Sequence, residues 1–251
     1  MCMHKHNPAP VIPRWPKSLS PLTDEQQQIS DDFMKYWLEV VPKKIGIRVV
    51  DVFNQTYPVK YAPPVFLTTL EIGAGLGEHL RYEKLSEEQK KNYWALDIRP
   101  NMIEELNRRE LGVKGLVGDC QKKMNFPDGY FDRILGIHVL EHLPDLPAAM
   151  REIWRLCKKT DGIFSFVIPC EGSPAYLLAR RLSAQRIFEK RYRQSYQWFI
   201  EREHINKPDE ILAEIRPYFE IAHCSYFPLG IRLAACNLCI GLTCKPRMER
   251  V

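Results

Sequence analysis

The sequence predicts an α/β fold in which a mostly parallel sheet is covered by helices on both faces. Three observations point there. From residue 66 onward, short apolar runs alternate with stretches of helical periodicity. The runs are nearly continuous in apolar residues, the pattern of strands buried on both faces. The first run opens directly into a loop with Gly73, Gly75 and Gly77 at alternate positions, which allows another molecule to approach the backbone closely.

The elements follow in order. Residues 1–22 are rich in proline and read as an extended arm. Thr23 and Gln26 form a capping box, and Ile29, Phe33, Trp37, Leu38 and Val41 recur at helical spacing up to Pro42, so a helix is expected over 23–41. "GIRVVDVFNQTY" suggests a second, shorter helix. Strands are expected at "VFLTTLEIG", at 92–98, 115–119, 131–139 and 162–169. Between them, one helix runs from Pro100 to Leu111 and stops at Gly112. Another spans 146–159, with Met150, Ile153, Trp154 and Cys157 on one face. After Pro169 come a long helical insertion over 174–200, a helix near 208–216, and two final strands, "FEIAHCSYF" and "NLCIGLTC". The chain divides into an arm with helices (1–62) and a main domain (63–251) carrying the insertion at 170–206.

Bulk properties narrow the function. In 251 residues, 45% hydrophobic, one large core is expected, and no apolar run is long enough to span a membrane. The amino terminus does not read as a secretion signal. The eight cysteines have mostly apolar neighbours. Cys236 and Cys239 of "CNLC" would point to opposite sides of a strand, so reduced thiols and a cytoplasmic location are expected. The net charge of +5 is concentrated in residues 180–193, where six basic residues face Glu189 alone. With the rest of the chain balanced, a general nucleic-acid-binding surface is not expected.

A ligand at the glycine loop would lie at the carboxyl ends of the strands. The GxGxG spacing is one residue short of the dinucleotide fingerprint GxGxxG. Glu71, at the end of the first strand, disfavours a phosphate and suits an amine. Asp97 ends the second strand, where a carboxylate accepts from ribose hydroxyls. Asp119 follows the third, placed for an adenine amino group, with the Cys120 amide donating to the ring. Together these describe a pocket for an adenosine with an ammonium-bearing tail.

Residues 70–145 resemble the class I S-adenosylmethionine-dependent methyltransferases, in their small-molecule branch. The likeness rests on the loop from Glu71 to Gly77, on Asp97, on Gly118–Asp119, and on "FPDGYFDRILGIHVLEHLPD". It implies a Rossmann-like sheet of seven strands with the last antiparallel. It also implies S-adenosylmethionine lying across strands one to four, bordered by Ala74, Ile98, Met102 and Ile137 as well, with Arg99 beside the ribose. The physics agrees, because a sulfonium cofactor has a positive centre and no phosphate.

In this fold the acceptor approaches over the fourth strand's end. His138 stands there, followed by Glu141 and His142, and an oxygen acceptor needs a base of that kind. "GIHV" is unlike the [DN]PP[YF] of nucleobase amine methylases. In "REHINKP", Glu203, His204 and Asn206 form a second candidate cluster, although Asn206 equally suits a helix cap. Spacing shows no metal site. Related insertions fold over the acceptor as a lid. Here Arg186, Arg191, Tyr192 and Tyr196 would hold a small-molecule, glycan-linked or lipid-linked acceptor, especially an anionic one, or 180–193 would touch an acidic membrane. An RNA methyltransferase and a non-catalytic cofactor-binding protein are the alternatives.

Overall fold

The computed structural model describes residues 14–40 and 45–249. The start of the predicted arm (1–13), and Val41 at the end of the first predicted helix, lie outside them. Strands β1 (Thr69–Ile72), β2 (Tyr93–Asp97), β3 (Lys114–Val117) and β4 (Arg133–Ile137) are short and apolar. β5 (Ile163–Pro169), β6 (Phe219–Phe227) and β7 (Cys239–Pro246) complete a seven-stranded sheet of order β3-β2-β1-β4-β5-β7-β6. The first five pair in parallel, and β7 runs antiparallel to both its neighbours. The expected architecture is the observed one. Strand order reverses at β1, which pairs with β2 on one side and β4 on the other, so a crevice opens at the carboxyl ends of these strands.

Helices α1 (Asp24–Val40) and α2 (Ile45–Lys60) precede the sheet; α2 is longer than its sequence motif suggested. Tyr57 of α2 lies so close to β7 that a Cβ on Gly241 would sit 2.4 Å from its ring, which explains a glycine inside that strand. Helices α3 (Glu87–Lys91), α4 (Pro100–Arg108) and α5 (Leu146–Leu156) fill the crossovers. Both α4 and α5 are shorter than predicted, and α5 stops one residue before Cys157, whose backbone instead bridges to Phe131.

The insertion corrects the expectation of one long helix. It comprises α6 (Pro174–Arg180), a π-turn at 181–185, α7 (Arg186–Tyr192) and α8 (Gln197–Glu203). Arg193 takes a left-handed conformation (φ 57°), and the chain folds back there. The reason is tertiary. Folding back brings Phe188 and Phe199 to 5.0 and 5.2 Å from the ring of Phe33 on α1, with Tyr192 and Tyr196 just beyond. A straight helix could not gather these rings at one point.

Helix α9 (Pro208–Ile215) follows, and residues 14–17 lie along it as a strap. Lys17 reaches Glu210 and the carbonyl of Ile205, and the Trp15 indole donates to Glu214. Cys236 is exposed in a short turn and Cys239 is buried at the start of β7; both thiols are free, but they do not share the strand expected from the sequence.

Candidate active site

The glycine loop takes its shape from three positive φ values, 66°, 54° and 75° at Gly73, Gly75 and Gly77. A Cβ on Gly73 would collide with Val139, whereas nothing lies within 4 Å of one on Gly75. Gly75 therefore leaves open space, as a backbone meant for a ligand requires. Behind the loop, Ala74 is buried and its amide donates to Leu96, tying the loop to β2.

Asp97 is 3% exposed and central. Its Oδ2 accepts from the Gly75 amide at 2.9 Å, and its Oδ1 accepts from the Arg99 amide at 2.9 Å. The Arg99 guanidinium covers both oxygens at 3.0 and 3.1 Å. Burial alone would raise the Asp97 carboxyl, but the Arg99 bonds and the Gly75 amide outweigh it and hold it low. Ile98 is 62% exposed beside it, an apolar surface suited to a flat base, and Met102 is half-buried on α4. Asp119 accepts from the Gln121 amide, and Cys120 is buried. Ile137 is half-buried at the end of β4.

Glu71 does not offer its carboxylate to a ligand amine, which corrects the sequence reading. It is buried in the all-buried strand β1, and its Oε2 accepts from the Tyr93 hydroxyl at 2.7 Å. Burial pushes its carboxyl up, against the nearby charge of His79 and the Tyr93 bond. A second internal pair lies close by, with Glu83 holding both His79 and the fully buried Arg133. These groups support the loop from below.

Beyond β4 a cavity of about 570 Å³ lies between the strand ends, α1, α2 and the lid formed by α6–α8. Its walls are mostly apolar and aromatic, with Phe33, Tyr176, Tyr196 and Phe199 among them. Four of its polar residues, His138, Glu141, His142 and His204, lie together. His138, at φ 51°, is a non-glycine residue in the left-handed region just past β4. Its Nδ1 donates to Glu141 Oε1 at 2.9 Å. Burial disfavours its charged form, but bonds to Cys239 and Glu141 outweigh this and push it up to about 10. These bonds favour the charged imidazolium at His138, the form that does not accept a proton, and so weigh against the role as a base expected of it. Burial would likewise raise Glu141, yet His138, then the charges of His142 and His204, hold it down at about 2.

His142 donates from Nδ1 to the Glu203 carbonyl at 2.5 Å, and His204 from Nδ1 to Glu171 Oε2 at 2.8 Å. The two rings lie 5.2 Å apart, edge to face. Burial holds His142 below the ordinary imidazole range; the charge of Glu141 opposes this and that of His204 reinforces it. Asn206 brings the two segments together. It is wholly buried, and its Nδ2 donates to the carbonyls of Leu140 and Leu143, both at 2.8 Å. It is therefore a clamp between the "LEH" turn and "REHINKP", while Lys207 occupies the position before α9 and its amide donates to Glu210. Glu141, His142 and His204 have ligand-type atoms all within 4.8 Å of one another, a cluster the sequence spacing concealed.

Of the residues expected to hold the acceptor, Tyr196 and Glu203 line this cavity. Arg186 is exposed, and Arg191 and Tyr192 are engaged by Asp32 of α1 at 3.0 and 2.5 Å on the outer surface. Among the described residues, the guanidinium that does face the cavity is that of Arg180, bound to Glu171 at 2.6 Å. Sequence reasoning missed Glu171, although an acid just after a parallel strand carries the same signal that identified Asp97. Phe33 and Asn54 of the cavity wall come from α1 and α2, and nothing in their local sequence marks them.

Comparisons with known proteins agree with this fold. Residues 70–166 match the family model described as "Methyltransferase domain". A curated relative, malonyl-[acyl-carrier protein] O-methyltransferase of Serratia marcescens, is 29% identical over 104 residues, which span 41% of this chain and 39% of that protein. Among solved structures, a TehB-like SAM-dependent methyltransferase of Corynebacterium glutamicum is 14% identical with a TM-score of 0.58, covering 88% of this chain and 100% of its own. The N-methyltransferase NodS of Bradyrhizobium japonicum, solved with S-adenosyl-L-homocysteine, is 13% identical with a TM-score of 0.56, covering 89% and 98%. At such identities the solved structures speak for the fold.

Proposed function

We propose that this chain, whose residues 70–166 match a methyltransferase domain model and whose sheet has the architecture the resemblance implied, is a class I S-adenosylmethionine-dependent methyltransferase that methylates an oxygen of a small, largely apolar acceptor. The observation that carries this reading is the cavity beyond β4, whose aromatic walls end in the His138–Glu141–His142–His204 cluster. Its volume is that of a small-molecule site. The cofactor, lying against the glycine loop and Asp97, would direct its methyl group over the end of β4. Methyl transfer is an in-line displacement, so the protein's main contribution is to hold the acceptor oxygen in line with the methyl carbon.

Tyr176, Tyr196 and Phe199 supply apolar contact for the acceptor. Asn54 adds a buried Oδ1 that lacks a hydrogen-bond partner and so can accept from an acceptor hydroxyl. The acceptor's proton leaves at His142 or His204, whose Nδ1 atoms are tethered and whose rings border the cavity. The Serratia relative, an O-methyltransferase, supports oxygen as the acceptor atom. An acceptor linked to a lipid or carrier fits the same cavity if its reactive end enters between α1 and the lid. An anionic acceptor is less well supported, because Arg180 is already paired with Glu171.

The test is S-adenosyl-L-homocysteine formation with a panel of phenols, hydroxylated lipids and carboxylic acids. His142→Gln and His204→Gln should each lower turnover by roughly 10²–10⁴ while leaving cofactor affinity within about twofold. Cofactor binding without product from any oxygen acceptor, or full turnover in both variants, would refute the proposal.

A further inference from the structure

We propose that Glu141, His142 and His204 form a site for one divalent transition-metal ion at the polar end of the acceptor cavity. Four observations carry it. The ligand-type atoms of the three residues already lie within 4.8 Å of one another. Bound to one ion at 2.0–2.2 Å they would be about 3.3 Å apart, so modest side-chain rotation completes the site.

Secondly, each imidazole is held from behind. His142 Nδ1 is fixed by the Glu203 carbonyl and His204 Nδ1 by the Glu171 carboxylate. This is how metal-ligating histidines are oriented: one ring nitrogen is tied to a carbonyl or carboxylate, and the other is presented to the ion. Thirdly, Glu141 is wholly buried, and while its Oε1 accepts from His138, its Oε2 has no hydrogen-bond partner. A buried carboxylate oxygen left unsatisfied is costly, and a cation facing it removes that cost. Finally, Asn206 clamps the two segments through three bonds, its own amide donating to the Glu141 carbonyl, so the cluster is assembled before any ligand arrives.

Two imidazoles and one carboxylate favour zinc, iron(II), cobalt or manganese over magnesium or calcium, and three protein ligands leave coordination positions open towards the cavity. The consequence for catalysis rests on the methyl-transfer reading. An acceptor hydroxyl in an open position would be held as its oxyanion, its proton passing to solvent, and the two imidazoles, with Nε2 on the ion, would then hold the metal in place of accepting that proton.

The experiment uses the full-length protein stripped with a chelator. His4 and His6 are replaced by alanine so that they contribute no binding. Titration with Zn²⁺ against a chromophoric chelator should show one equivalent bound at micromolar or tighter affinity. His142→Ala and His204→Ala should each weaken it at least tenfold, and Glu171→Gln should weaken it about tenfold through the orientation of His204. His223→Ala, on the exposed face of β6, should leave it unchanged. Thermal unfolding, followed alongside, verifies that each variant is folded. No stoichiometric binding, or binding indifferent to both His142→Ala and His204→Ala, overturns the site. The titration needs no acceptor, so it stands if methyl transfer fails, and product formation in excess chelator tests methyl transfer without the ion.

Discussion

Asp97→Ala tests the cofactor pocket most directly, and the structure alters what it should do. A carboxylate accepting from two ribose hydroxyls makes two charge-assisted bonds, each contributing about 1.5–3 kcal/mol. In the ligand-free protein, however, the same oxygens are occupied by the Arg99 guanidinium, which is 44% exposed. Cofactor binding exchanges the Arg99 contacts for the ribose. The net loss in the variant is therefore smaller than the sum of two bonds, about 1.5–3 kcal/mol, or ten- to a hundredfold in affinity.

Asp97 also holds the Gly75 amide, so the variant leaves that donor without its acceptor and lowers the stability of the free protein by about 1–2 kcal/mol. From sequence alone Asp97 is a ligand-binding carboxylate; the structure gives it a structural load as well. Calorimetric titration with S-adenosylmethionine and thermal unfolding of the free protein measure the two effects separately. Arg99→Ala is the companion variant: it frees Asp97 and should not weaken binding. Unchanged affinity in Asp97→Ala, or a larger loss in Arg99→Ala than in Asp97→Ala, would refute this account.

Two further outcomes follow from other parts of the structure. At Glu83, burial would raise the carboxyl, but His79 and Arg133 outweigh it and hold it at about 2, against 4.5 for the unperturbed group. A lowered carboxyl stabilises the fold above its unfolded-state value, and that contribution is lost as pH falls from about 4.5 to 2. Denaturant unfolding should show wild-type stability falling through this window and a flatter dependence in Glu83→Gln. That variant should be less stable near neutrality by about 3–5 kcal/mol, since it leaves Arg133 buried and unpaired. Reversing Arg186 and Arg191 to glutamate should change acceptor Michaelis constants less than about threefold and stability by no more than about 1 kcal/mol, because Arg186 is exposed and Arg191 meets Asp32 outside the cavity. A rise well beyond tenfold would restore the anionic-acceptor reading of the basic segment.

What the sequence by itself determined is the sheet, the glycine loop and the acids at the strand ends. The apolar runs, the Gly73–Gly75–Gly77 loop and the acids at successive strand ends are local features, and in a parallel sheet local order is also spatial order. Asp97 and Asp119 could therefore be placed from chain position alone. Glu71 was misread because its neighbours in space, Tyr93 and the Glu83 network, are remote in sequence, and it is they that draw its carboxylate inward.

Only the tertiary structure decided the cavity beyond β4. His138, Glu141 and His142 come from one turn, but His204 arrives from 62 positions further along and is seated there by Asn206 and Glu171. The same holds for the insertion, whose helical periodicity extends past the fold-back at Arg193. That fold-back exists because Phe33 of α1 offers the insertion's rings a common packing point. Periodicity reports which face of a segment is apolar; what covers that face depends on long-range packing, which no local window of sequence contains.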